Sequence, residues 1–370
     1  ELNTSIISFA NIADNKLTFG AIDLFDLFFN IRKYKGEEGT NLDSFVDKFD
    51  RDNQRTKASE FLLSSTSLRT HTSNFLYVDE NLNNPTILDL HELNLEASDF
   101  LILGKNITTA ITGLSFEDSR GATVKNLQTE FSYSLTQMKF DQLKIQSANS
   151  LISGQLHFNY DRADFKDFSD KVKVSGFFKN SRLDLEELNV FYNEFGSYQK
   201  ATLNTTFSGT LNNLSFDRLN LQTSRNTAVS GKLKFKNVFN PTINSFEMDA
   251  DFKNISSTYT DLKALLPRVL GNSIPSSFEA LGRFDMQGAA RVSKATIATV
   301  LDIETELGTL FVDLNLDQIE TIDNALYVGQ IQFTDFDMGR FINEPKIGLI
   351  TSNLSVEGRG FNKETVNSII

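Results

Sequence analysis

Cysteine and tryptophan are absent from this sequence, and its 370 residues include only 5 Pro and 3 His. Without Cys there is no disulfide framework and no thiolate metal site, an absence compatible with a periplasm and with reducing compartments alike. His71, His91 and His157 stand in strand-like text with no second His or Cys at ligand spacing. Surface strand positions are therefore expected for them, and no metal, since a transition-metal site needs three or four converging ligands. A membrane-spanning run is also missing: the most apolar stretch, Ile22 to Ile31, carries Asp23 and Asp26 and falls well short of the ~20 residues a helix needs to cross a bilayer. A basic stripe is missing too. Lys+Arg 36 against Asp+Glu 48 leaves a net charge of −12 with the charges scattered, which argues against nucleic acid as a partner. No G-x-S-x-G elbow, P-loop or G-x-G-x-x-G occurs, and Gly358-Arg359-Gly360 is too short to cradle a phosphate. Acidic pairs such as Glu186-Glu187 alternate with apolar residues as solvated strand faces do, not as a glycosidase pair. No catalytic residue and no cofactor is expected. The Asn-x-Ser/Thr matches at Asn3, Asn106, Asn204, Asn213, Asn254 and Asn353 are what Asn-, Ser- and Thr-rich strands produce by chance, and no glycan is assigned to them.

What the sequence does have is 33 Phe and an ordinary charged fraction of 23%, enough apolar surface to exclude disorder. Most of it alternates apolar and polar residues over short runs, as in Leu203 to Phe207 and Gly231 to Phe235, with Gly, Asn, Asp and Ser between the runs. That is the period of antiparallel strands with one apolar face. Two segments break it. Leu42, Phe45, Val46 and Phe49 recur at helical spacing behind Thr40 or Asn41 as N-cap, predicting a short amphipathic helix over 41–50. Leu262, Leu265, Leu266 and Val269 do the same after Thr258 and Thr260, predicting a second helix over 256–272, kinked or started late by Pro267 and stopped near Gly271 and Pro275. Both helices are expected to plug an open sheet edge or end. Strands are expected over 1–40, 51–255 and 273–370. The chain starts at Glu1 without Met and stops at Ile369-Ile370 in strand text, so a piece of a longer protein is expected.

Two repetitions run through the strands. Phe131, Leu135, Phe140, Asp141, Leu143, Ile145 and Gln146 return 76 positions later as Phe207, Leu211, Phe216, Asp217, Leu219, Leu221 and Gln222. Ser153-Gly154, Leu156 and Phe158 return 77 positions later as Ser230-Gly231, Leu233 and Phe235, and Phe284, Gly308, Leu310 and Val312 make a weaker third copy. A unit this long holds several strands. Within it, a pattern of apolar-x-apolar-x-x-apolar-x-apolar occurs five times. The copies are Leu88, Leu90, Leu93, Leu95; Met138, Phe140, Leu143, Ile145; Leu183, Leu185, Leu188, Val190; Leu214, Phe216, Leu219, Leu221; and Ile331, Phe333, Phe336, Met338. In a regular strand the three-residue step would send the last two side chains to the opposite face. A β-bulge at the central polar pair (His91-Glu92, Asp141-Gln142, Glu186-Glu187, Asp217-Arg218, Thr334-Asp335) keeps all four on one face and bends the sheet. The alternative is a tight bend between two short strands. The fold expected is all-β: an elongated, twisted antiparallel sheet curled into an open trough, with two short capping helices. The twenty apolar residues of the five copies are expected to line the trough, with Phe140, Leu143, Phe216, Leu219, Phe333 and Phe336 facing a common open groove.

The segments Gly176 to Gly196, Asn41 to Phe49, and Asp261 to Pro267 with Ser273-Ile274-Pro275 resemble TamB-like proteins of Bacteroidetes, members of the AsmA-like, repeating β-groove family; the resemblance runs from about residue 1 to 360. It implies a groove spanning the periplasm, anchored in the inner membrane by a segment outside this one. It also implies a role in phospholipid transport or outer-membrane protein assembly, with phospholipid acyl chains or nascent outer-membrane proteins as clients. The family's outer-membrane barrel partner would meet a C-terminal region not recognisable here. The physics agrees: at about 0.8 kcal/mol per methylene, a 16-carbon chain crossing water would face a cost of about 12 kcal/mol that an apolar trough removes. A structural β-repeat scaffold or adhesin is the other class this pattern serves; a closed solenoid of that kind predicts short rungs and a filled interior. A glycan-binding sandwich predicts exposed Trp or Tyr platforms, which the absence of Trp disfavours.

Overall fold

The computed structural model describes residues 1–6, 16–44, 61–83, 85–190, 193–237, 246–270, 276–321, 324–360 and 367–369. It is all-β, with a few short helices and no closed barrel, and the chain divides into two compact units, Glu1–Arg162 and Ala163–Ile370.

The first unit holds β1 (Leu2–Ile6), β2 (Lys16–Phe25), β3 (Phe28–Lys33), β4 (Leu62–Asp79), β5 (Thr86–Leu103), β6 (Asn106–Asp118), β7 (Thr123–Val124), β8 (Asn126–Tyr133), β9 (Gln137–Gln146) and β10 (Leu151–Asn159). From β4 to β7 and again from β8 to β10 neighbours in sequence pair antiparallel, as alternation predicts, and β8 joins the sheet on β6. The expectation of a purely antiparallel sheet fails at one edge. There β2 and β3 lie parallel to β4, end to end, covering its first and second halves. The chain between β3 and β4 is long enough to return to the strand's start, which a hairpin cannot do.

The edge left by β3 is covered in an unusual way. Thr40 caps a helical turn, α1, at residues 41–44: its Oγ1 accepts from the Asp43 amide at 3.1 Å, while Asp43 Oδ2 accepts from the Thr40 amide at 2.7 Å. The next residue, Asn41, accepts from the Arg32 amide at 2.9 Å and donates to the Asn30 carbonyl at 2.8 Å. One side-chain amide thus supplies the donor and acceptor that a neighbouring strand would. The rest of the predicted first helix, 45–50 with Phe45, Val46 and Phe49, lies outside the described residues.

The second unit holds β11 (Lys173–Asp184), β12 (Lys200–Thr210), β13 (Asn213–Thr223), β14 (Ala228–Lys236), β15 (Glu247–Thr258), β16 (Arg283–Ser293), β17 (Thr296–Thr305), β18 (Gly308–Asp317), β19 (Leu326–Asp337), β20 (Leu349–Arg359) and β21 (Asn367–Ile369). It is an antiparallel meander in which each strand pairs with the next.

Its helical residues are more dispersed than the sequence predicts. A 3-10 turn over Arg162–Asp167 leads into α2 (Phe168–Lys171), and further 3-10 turns cover Leu185–Val190 and Ser276–Leu281. The expected second helix starts later than predicted, because β15 runs on through Thr258, whose side chain caps α3 (Tyr259–Leu265). Pro267 opens a separate short helix, α4 (Pro267–Leu270), as its missing amide and fixed φ allow at a first turn. Gly271 and Pro275 lie outside the described residues. A fifth helix, α5 (Met338–Ile342), follows β19 directly. Among the described residues no helix is long and apolar enough to cross a membrane.

Candidate functional site

The pairing registers turn the sequence's alternation into continuous rows. In the second unit Phe207, Phe216, Leu233, Ala250, Ala290, Thr299 and Leu314 stand level on seven successive strands. The next row holds Phe252, Leu301, Val312, Ile331 and Leu354, and the one beyond it Ile255, Met286, Ile303, Leu310 and Phe333. The alternate positions, such as Lys232, Asp251, Asp313 and Gln330, form an opposite polar face. The first unit repeats the arrangement with Tyr133, Met138 and Phe158 in one row and Phe131, Phe140 and Leu156 in the next.

Aromatic side chains pack against one another at tilted or T-shaped angles along this face. Ring centroids are 5.1 Å apart for Phe131 and Phe140 and 6.3 Å for Phe140 and Phe158. In the second unit Phe178, Phe207, Phe216 and Phe235 form a run at 5.4, 5.7 and 5.9 Å. Nearly all of these residues are half-buried: neighbours shield their sides and water reaches their tips. An ordinary core would bury them entirely.

The bulges that keep the rows in phase appear in four of the five motif copies. The ladder slips between His91 and Asn94, between Gln128 and Glu130 opposite Asp141, between Phe216 and Leu219, and between Phe333 and Phe336. In three copies the second residue of the polar pair takes a left-handed backbone: Glu92 at φ 52°, Gln142 at 51° and Asp335 at 48°. The first two repeat copies share one pairing register. Phe131, Phe140 and Leu156 are level, with Leu143 facing Gly154; Phe207, Phe216 and Leu233 are level, with Leu219 facing Gly231. A buried threonine serves the bulge in each: Thr129 donates to the Asp141 carbonyl at 2.7 Å and Thr205 to the Arg218 carbonyl at 2.8 Å.

Glycine is required where a bulge presses on the next strand. A Cβ at Gly308 would lie 2.6 Å from the Asp335 carbonyl oxygen and 2.7 Å from Phe336 Cα, and one at Gly231 would run into Asp251 and Phe252. Further bulges, between Phe178 and Ser181 with Asn180 at φ 50°, and between Phe252 and Ile255, lie outside the five motif copies. Their signal is the bare apolar-x-x step with Asn in it, too short to stand out against chance.

Not every motif residue stays at the open face. Leu183 and Leu185 are buried where β11 ends, and Leu185 to Val190, with Leu188, form a 3-10 turn in place of a bulged strand. Leu143 is 2% exposed. Phe333 and Phe336, the latter fully buried, form a filled core with Leu281 and Leu307, against which Met338, Ile331 and Phe341 pack. The turn at Ser276–Leu281 and α5 cover that end of the rows, so these two Phe are packing residues and not open groove. Leu90 is buried, while Leu88, Leu93, Leu95, Met138, Phe140, Ile145, Leu214, Phe216, Leu219 and Leu221 remain half-buried on the apolar face.

The three histidines sit beside aspartates: His157 Nε2 is 2.7 Å from Asp141, His91 3.0 Å from Asp89 and His71 3.8 Å from Asp23. Among the described residues no cluster of three His, Cys, Asp or Glu is placed to hold a metal. Comparison of the chain with protein-family models, curated proteins and solved structures finds no match.

Proposed function

We propose that this chain is a non-enzymatic, TamB-like segment of a bacterial cell envelope, whose apolar sheet face shelters phospholipid acyl chains or nascent outer-membrane proteins between membranes. The observation that carries this reading is the pair of unlike faces: rows of half-exposed Phe, Leu and Ile cross strand after strand, while the opposite face carries the charges. Phe and Leu offer a non-directional lining, along which a hydrocarbon chain slides without being held at one point. The half-exposed tips add roughly 25 cal/mol for each Å² that a client removes from water. The periplasmic location, the inner-membrane anchor and the outer-membrane barrel partner, the last two outside this segment, belong to the same proposal and rest on the resemblance.

Leu233→Asp and Leu301→Asp place a carboxylate in the middle of the half-exposed rows. Both variants are expected to keep the strand-dominated circular dichroism spectrum and to lose crosslinking to a photoreactive phospholipid. Wild-type protein is expected to copurify with lipid detectable by mass spectrometry. Undiminished crosslinking in folded variants would remove the apolar face from consideration.

A further inference from the structure

The polar face of the second unit has a feature that shelter of lipid does not use. A concavity of about 510 Å³ opens over β13 to β18. Its lining includes the short apolar side chains Ala289, Ala298 and Val300, level with Asp251, Arg291 and Asp313 on neighbouring strands, and Val300 is 45% exposed. Toward one end Lys232 and Lys234 on β14 line the concavity, with Ser215 and Asp217 of β13 beyond them, and Asp313 and Asn315 on β18 line the other end.

The charges around it are unevenly satisfied. Lys236 and Glu247, level on β14 and β15, close to 2.7 Å. Asp249, level with Lys234, turns away to Arg291 at 2.7 Å. Among the described residues Lys232, Lys234, Asp251 and Asp313 then form no ion pair, although Lys232 and Asp251 are level on adjacent strands. Two ammonium groups side by side attract an anion. Asp217 and Asp251, which flank Lys232, disfavour a ligand carrying several negative charges. At the far end Asp313 favours a cation, and the floor between favours small apolar groups. Strands lie about 4.8 Å apart, so four spacings from β14 to β18 come to about 19 Å, the span of five or six extended residues at about 3.3 Å each.

We infer that this concavity binds a short extended peptide with free ends: its terminal carboxylate on Lys232 and Lys234, its small side chains over Ala289 and Ala298, and its terminal ammonium at Asp313. The matching probe is penta-alanine with both ends free, titrated calorimetrically into the whole chain at low salt. Saturable binding is expected, weakened at least about tenfold, or about 1.4 kcal/mol, by acetylating and amidating the peptide ends, and weakened further by salt. Lys232→Ala with Lys234→Ala is expected to reduce binding, and Ala298→Lys, which fills the floor, to abolish it. Leu301→Asp on the opposite face is expected to leave it intact. Circular dichroism of each variant separates loss of the site from loss of the fold. No saturation by about 5 mM peptide, an affinity weaker than about −3 kcal/mol, overturns the inference. So does equal binding of the blocked peptide, or binding by a folded Ala298→Lys variant.

Discussion

Burial separates residues that the sequence treats alike. Phe216 and Phe336 both flank the polar pair of the motif, Phe216 before it and Phe336 after it, yet Phe216 is half-buried and Phe336 fully buried against Leu281, Leu307 and Phe341. Phe336→Ala is therefore expected to cost about 3–5 kcal/mol, the usual toll of a cavity in a filled core, and Phe216→Ala clearly less, both read from urea midpoints. Electrostatics of single residues can be tested in the same way. The Asp118 side chain is 4% exposed and gripped by Arg120, whose Nε and Nη2 donate to its two oxygens at 2.7 and 2.8 Å. Those hydrogen bonds hold its carboxyl below the ordinary carboxylate range. A depressed folded-state pKa contributes stability that is present above the unfolded value and lost as pH falls through the folded one. Asp118→Asn should accordingly destabilise by about 1–3 kcal/mol at pH 7, and the gap to wild type should close on titration toward pH 3. A pH-independent gap would assign the effect to packing.

At the scale of elements, bulges and edges do the shaping. Each bulge inserts one residue into a strand, bends it and increases its twist, and where a glycine faces it, as Gly231 faces Leu219, the neighbouring backbone closes in. Gly231→Ala is expected to lose about 1–3 kcal/mol, because the added methyl meets the Asp251 carbonyl and Phe252 backbone, which cannot swing aside. An Ala at the exposed loop glycine Gly36, whose Cβ would meet nothing, should cost no more than the strain of its positive φ. The Asn41 amide guards the β3 edge through two hydrogen bonds. Asn41→Ala would free an amide and a carbonyl on a strand that already exposes Phe28 and Phe29, so concentration-dependent association is expected by light scattering. An Asn41→Ala protein that stays monomeric would show that other parts of the chain protect the edge.

Taken whole, the chain carries a half-exposed apolar face in each of its two units together with a net charge of −12, a charge expected to oppose association of copies through those faces. Like-charged chains repel over a Debye length of about 10 Å at 0.1 M salt, a reach cut to about 4 Å at 0.5 M. Sedimentation velocity should thus show self-association rising with salt, the reverse of what pairing through surface ion pairs would give. Much of this organisation was legible in the residues themselves. Alternation marks the faces because strand geometry has a period of two; the Thr258 cap is a local hydrogen bond; and the spacing at Phe216 and Leu219 marks a bulge because only an extra residue keeps both on one side. The parallel placement of β2 and β3 on β4 was not legible, since it depends on which distant strand wins an edge. Nor was the fate of Leu185 or Phe336: the same apolar pattern continues as a strand or curls into a turn according to what lies across from it. Period and local hydrogen bonds are properties of short stretches, and a sequence carries them. Covering of a face and choice of neighbour come from segments far apart in the chain, and only tertiary structure brings those together.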